Sequence, residues 1–179
     1  LDGLLAYFFP SPGYEPILKT LFFAPLYYSF QPRPMWVIDA DAAQVSGKTT
    51  LVKKLARLYR DPLVTTDMRY LNSPFCDFTK RLVDPIGLSS RIALIDNVTG
   101  TLSCPRLASI VTSDTIIDRP PYARASVLRE NDITYIVTGN NVVMDTDLST
   151  RSWVVRLDAP PVLGAGGCNS LGIEREILG

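Results

Sequence analysis

Short apolar runs punctuate this chain, separated by polar, helical or turn-rich stretches. Five stand out: Met35 to Ala40, Pro62 to Thr65, Arg91 to Asp96, Ile133 to Thr138 and Trp153 to Leu157. They are nearly continuous in apolar character rather than alternating, as expected of strands buried on both faces. Between the first two lies TLVKKLARLYRD, where Leu51, Leu55 and Leu58 recur at helical spacing with charges between them. This predicts an amphipathic crossover helix. Strands alternating with helices or loops imply an α/β fold in three layers, a five-stranded parallel sheet between helices. A further apolar-rich segment, Ile17 to Phe30, is interrupted at Pro25 and closed before Pro32 and Pro34, predicting a buried helix broken at the first proline. The proline- and glycine-rich stretch from Ala159 to Gly167 reads as a linker. The expected organisation is an N-terminal helical segment (1–34) packing on a core (35–160), followed by a linker or tail (161–179).

Composition narrows the chemistry more than the fold. With 179 residues, 46% hydrophobic and 20% charged, the chain suits one compact domain. Its 18 basic and 18 acidic residues cancel, so a nucleic-acid contact has to come from a local basic patch. The absence of histidine excludes a Ser-His-Asp relay and every histidine base. Cys76, Cys104 and Cys168 are widely spaced and read as reduced thiols of an intracellular protein rather than a zinc set. The apolar start, Leu1 to Phe9, is cut by Pro10 and Pro12, far short of the roughly 20 residues of a membrane span, and no membrane partner is expected. The chain begins at Leu1 and stops at Gly179 just after a fresh helical start, as a fragment of a longer protein would.

The strongest chemical signal follows the first strand. Ala42-Ala43-Gln44-Val45-Ser46-Gly47-Lys48-Thr49-Thr50 matches the phosphate-binding loop GxxxxGK[ST], with Ala42 in place of the first glycine. Successive backbone N–H groups and the N-terminus of the next helix offer positive ends to a triphosphate. Lys48 reaches the β and γ phosphates, and the Thr49 hydroxyl is a ligand for magnesium. The competing reading is a chance SGKT in an ordinary strand-to-helix turn. ATP and Mg²⁺ are the cofactors this loop predicts.

Forty-eight residues after Lys48, the strand Arg91 to Asp96 ends in a carboxylate. Asp96 is placed as a Walker B residue holding magnesium through water; by itself it would read as a turn or cap residue. Asn97 follows it, and an amide orients a water but cannot take its proton, so hydrolysis is slow, or Asp118 or Glu130 enters the site, or the proton goes to the phosphate. A third strand leads into Gly139-Asn140-Asn141, where Asn140, or failing it Asn141, is placed to touch the γ phosphate as a sensor. Gly-Asn-Asn is otherwise a plain turn. Arg151, before the last strand, suits an arginine delivered to a neighbouring subunit, or a surface ion pair with Asp145 or Asp147. Between these lies Asp118-Arg119-Pro120-Pro121-Tyr122-Ala123-Arg124, where Arg119 and Arg124 can meet phosphates while Tyr122 stacks on a base. The alternative is a structural ion pair of Arg119 with Asp118.

The order SGKTTL, LIDNVTG, TSDTIIDR, VTGNN and DLSTRSWVVRLDAP resembles the AAA+ or superfamily-three-like helicase domains of phage, plasmid and integrated-element replication proteins, often joined to a primase. The resemblance covers Trp36 to Pro160. It implies a P-loop NTPase core of the AAA+ (ASCE) type and an ATP-driven ring, usually a hexamer, translocating on single-stranded or forked DNA. The location implied is the cytoplasm of a bacterial, archaeal or virus-infected cell. In such proteins Asp-Asn after the Walker B strand and Gly-Asn-Asn at the sensor are usual, so Asn97 does not imply a dead enzyme. Two departures are Ala42 for glycine and Ser152 where the family often shows a second arginine. Competing functions are a nucleotide-dependent assembly or regulatory module with weak hydrolysis and, ranked last for want of an arginine-bearing lid, a small P-loop kinase.

Overall fold

The computed structural model describes residues 8–26, 33–40, 47–73 and 77–158. Its centre is a five-stranded sheet built from β1 (Met35–Ala40), β2 (Val64–Asp67), β3 (Ile92–Leu102), β6 (Thr134–Met144) and β7 (Ser152–Arg156). The spatial order is β2-β3-β6-β1-β7, and every pairing within it is parallel. β1 is buried at all six positions. Its side chains alternate between two cores: Met35 and Val37 join one cluster, Trp36 and Ile38 the other. A strand with both faces covered has no polar side to show, which is why its sequence is apolar apart from Asp39.

Helix α1 (Glu15–Leu21) and α2 (Lys48–Leu58) cover one face. The opposite face carries α3 (Met68–Leu71), α4 (Phe78–Leu82), α6 (Pro105–Thr112) and α7 (Thr146–Ser149), with α5 (Pro85–Ser89) packed against α4. The α2 helix buries Leu51, Val52, Leu55 and Ala56, two adjacent pairs a turn apart. Leu58 is 58% exposed, so the apolar stripe ends a turn earlier than the leucine spacing predicts. The N-terminal segment also departs from expectation. α1 stops at Leu21, a separate 3-10 turn spans Ala24–Leu26, and Phe23 and Leu26 are exposed while Leu18, Leu21 and Phe22 are buried. One face packs on the sheet and the other faces out. Residues 27–32 and 159–179, including the expected linker and Cys168, and also Cys76, lie outside the described residues.

The expected strands exist, with shifted bounds. The second begins at Val64 rather than Pro62 and runs to Asp67; the last begins at Ser152. The largest change is in β3 and β6, each eleven residues long, which continue past Asp96 and Thr138 and pair with each other as far as Leu102↔Met144. Mutual pairing satisfies backbone groups that a loop would leave to water. The last described pair of β1 and β6 is Ala40↔Asn140, and beyond it β3 and β6 continue together.

One element has no counterpart in the apolar-run reading: an antiparallel hairpin of β4 (Thr115–Asp118) and β5 (Val127–Glu130). Its base is pinned by the buried Arg129, which donates to the carbonyls of Leu82, Gly87 and Ser90 at 2.6–3.0 Å and to Asp132 Oδ1. Thr79 adds a hydrogen bond to Asp118 Oδ2.

Candidate active site

Parallel strands direct their C-terminal ends to one edge of the sheet, and ligands of such folds sit there, where the strand order reverses. After β1 the described chain resumes at Gly47 and α2, which returns past β6 and β3 to β2. Ala42, Ala43, Gln44, Val45 and Ser46 lie outside the described residues. Gly47, the N-cap of α2, has φ +73°, a left-handed conformation that favours glycine. Lys48, Thr49 and Thr50 form the first helical turn, whose backbone N–H groups lack intrahelical acceptors and point to the same edge.

Four sequence-predicted residues converge here. Lys48 Nζ donates to Asn140 Oδ1 at 2.7 Å. Thr49 Oγ1 donates to Asp96 Oδ1 at 2.9 Å. Thr138, which sequence reasoning did not single out, donates its hydroxyl to the same Asp96 oxygen. It also accepts from the backbone N–H of Asn97 at 3.3 Å. Burial lowers the Lys48 ammonium below its ordinary lysine value, and the nearby Asp39 and Asp96 carboxylates oppose that shift. An ammonium, a hydroxyl and a carboxylate around one helix N-terminus form a donor set suited to a triphosphate with a hard cation. Thr49 and Asp96 are the residues that would hold that cation.

Asn140 does not sit on a turn after a strand; it is inside β6, paired with Ala40 and Thr99. The backbone bends next to it, with Asn141 at φ +50°. Asn97 is likewise within β3, at φ +60°, where the register with β6 shifts between Ile95 and Val98. Of the alternative carboxylates, Asp118 is engaged by Thr79 in the hairpin, and Glu130 pairs with Thr115 at the hairpin base. A cleft of about 760 Å³ opens beside the site, lined by Thr65, Asp67, Arg81, Asp96, Asn97 and Pro121 among others. It joins the Asp96 edge of the sheet to Pro121 of the hairpin tip. That tip holds Arg119, Tyr122 and Arg124; Tyr122 is fully exposed with φ +64°. Arg119 meets Asp118 through its backbone N–H at 2.7 Å, not as the ion pair considered from sequence.

Arg151 is not part of this cluster. Its carbonyl accepts from Met35 N–H at 2.8 Å, which places it level with the start of β1, while Lys48 follows the strand's far end. A six-residue strand spans roughly 17 Å. The guanidinium is held by Asp147 at 2.7 Å and by the Ala108 carbonyl at 3.0 Å.

The fold is similar to that of known structures. The structure superposes on the C-terminal region of NrS-1 in its apo form with a TM-score of 0.63 at 18% identity, covering 97% of this chain and 40% of that one. It matches the X-ray structure of JCV helicase with a TM-score of 0.62 at 18% identity, over 94% of this chain and 47% of that one. A second JCV helicase structure, bound to a thiazolopyridine compound, gives 0.61 at 16% identity over 84% of this chain. The chain has the fold of these helicase structures. It is a P-loop NTPase fold with a parallel five-stranded sheet, and the chain spans less than half the length of the solved chains it matches. No protein-family model matches the sequence, and no curated protein does. Among the described residues no helix is long and apolar enough to cross a membrane.

Proposed function

We propose that this chain binds ATP with magnesium and hydrolyses it as the motor domain of a ring-forming DNA helicase or translocase. The observation that carries the reading is the convergence of Lys48 with Asn140, and of Thr49 with Asp96 and Thr138, at the N-terminus of α2. Lys48 neutralises the β and γ phosphates, the helix N-terminus takes up further negative charge, and Asn140 exchanges its bond to Lys48 for one to the terminal phosphate. A bound magnesium ion would supply charge neutralisation on the phosphate oxygens. The hairpin supports the DNA side of the proposal. A rigid base and a tip bearing Arg119, Tyr122 and Arg124 suit a strand held by phosphate contacts and base stacking.

Asn97 favours a second reading, an assembly or regulatory module that binds ATP and hydrolyses it poorly, because an amide does not accept the lytic water's proton. Binding and turnover separate the two. For Lys48→Ala, nucleotide affinity collapses while thermal unfolding is unchanged; wild-type affinity in that variant defeats both readings. Appreciable magnesium-dependent turnover by the wild-type chain favours the motor, and tight binding without it favours the module.

A further inference from the structure

Asp39 is the one charged residue in the β1 sequence MWVIDA and is only 2% exposed. A carboxylate buried in a sheet is costly unless it is well partnered. Replacing a whole buried ion pair by apolar side chains is often neutral for stability, whereas removing one member alone is costly, so the reason for Asp39 lies in its partners. Its two oxygens show what it does. Oδ2 lies 3.6 Å from Nε of Arg156, a half-exposed arginine. Oδ1 accepts from the backbone N–H of Val142 at 3.1 Å.

That second bond lies two residues beyond Ala40↔Asn140, the last β1–β6 pair among the described residues. Among the described residues β6 runs on to Met144 in register with β3, and the acceptor that meets the Val142 N–H is the Asp39 carboxylate. The bend it holds is tight: Asn141 has φ +50°, and a Cβ on Gly139 would lie 2.2 Å from Val142 Cγ2 and 2.5 Å from the Val98 carbonyl oxygen. Gly139 is itself the Cα partner of Asp39. Asp39 thus lies beside Gly139 in the strand register and is bonded to Val142. Between those two residues sits Asn140, whose amide oxygen accepts from Lys48 Nζ.

We propose that Asp39 is a positioning residue for nucleotide turnover, holding the Gly139–Val142 bend so that the Asn140 amide is aimed at the phosphate end of the site. This rests on the nucleotide reading above. The bond, not the charge, is the essential part, so Asp39→Asn, which keeps an acceptor of the same size, serves as the rescue variant, and Asp39→Leu removes the acceptor.

The test measures three quantities in wild type and both variants: magnesium-dependent ATP turnover, affinity for a fluorescent ADP, and hydrogen exchange at the Val142 amide without nucleotide. Asp39→Leu is expected to lose about 10- to 100-fold in kcat, the penalty of a misplaced group, with ADP affinity kept and Val142 exchange accelerated. Asp39→Asn is expected to keep wild-type kcat and a protected Val142 amide. Wild-type kcat in a folded Asp39→Leu overturns the proposal, as does an Asp39→Asn variant as slow as Asp39→Leu. Should Asp39→Leu not fold, Asp39→Ala replaces it. If that fails too, Asp39→Asn decides through kcat and Val142 exchange, a loss of either overturning the proposal. A wild-type chain that neither binds nor turns over ATP overturns the nucleotide reading itself, a different result from an active wild type with an equally active Asp39→Leu.

Discussion

At the scale of single residues, the site is a set of side chains whose partners are already chosen. Asp96 accepts from two hydroxyls at one oxygen, and an asparagine there retains an acceptor while losing the charge that a divalent cation needs. Asp96→Asn is therefore expected to weaken magnesium-dependent hydrolysis and to keep part of its nucleotide binding; a titration with magnesium checks this, and an unchanged magnesium dependence removes Asp96 from the role. Gly139 makes a purely steric demand. An added methyl meets the Val98 carbonyl, backbone that cannot swing away. Gly139→Ala is expected to cost about 1–3 kcal/mol and to lower the thermal midpoint, measured by calorimetry. An unaltered midpoint would show that the bend relaxes freely.

At the scale of elements, the hairpin, to which the proposal gives the DNA contact, carries the least sequence signal. Its exposed apolar positions, Ile117 and Leu128, face each other on one side, and four-residue strands leave too short an alternation to stand out. Arg129, whose side chain fixes the base, reads in sequence as one more surface charge. The central strands β1, β3 and β6 were legible because their first residues are buried on both faces, and the edge strands β2 and β7, each with an exposed side, because short apolar runs remain in them. Their true ends were not, because the extension of β3 and β6 depends on a partner that no local pattern names. Lys48, Thr49, Asp96 and Asn140 were legible through motif spacing. Asp39 carried a visible signal, a lone charge in an apolar run, and Thr138 carried none, since a threonine in a strand is ordinary. For the hairpin tip, replacing Arg119, Tyr122 and Arg124 together by Ala is expected to abolish single-strand binding while leaving ATP affinity intact. Removing one arginine is expected to reduce the salt slope of binding by about 0.7. Fluorescence anisotropy with a labelled oligonucleotide across salt concentrations reads both, and undiminished binding by the triple variant places the DNA elsewhere.

At the scale of the whole molecule, Arg151 lies at the opposite end of the sheet from Lys48, so it serves a pocket other than its own or serves only the fold. A shared active site predicts that Arg151→Ala lowers turnover by about 10³-fold or more with little change in ATP affinity. Mixing Arg151→Ala with Lys48→Ala subunits then restores some activity, because one interface pairs an intact pocket with an intact arginine. Co-assembled mixtures that never recover activity reduce Arg151 to its ion pair with Asp147. The central claim is more basic than the ring: this edge of the sheet turns over ATP in response to DNA. It is tested most directly by steady-state ATP turnover of the wild-type chain with magnesium, with and without single-stranded DNA, against Lys48→Ala. The account predicts magnesium-dependent turnover that single-stranded DNA stimulates and that Lys48→Ala abolishes. Turnover no higher than that of Lys48→Ala, with DNA present, would contradict it.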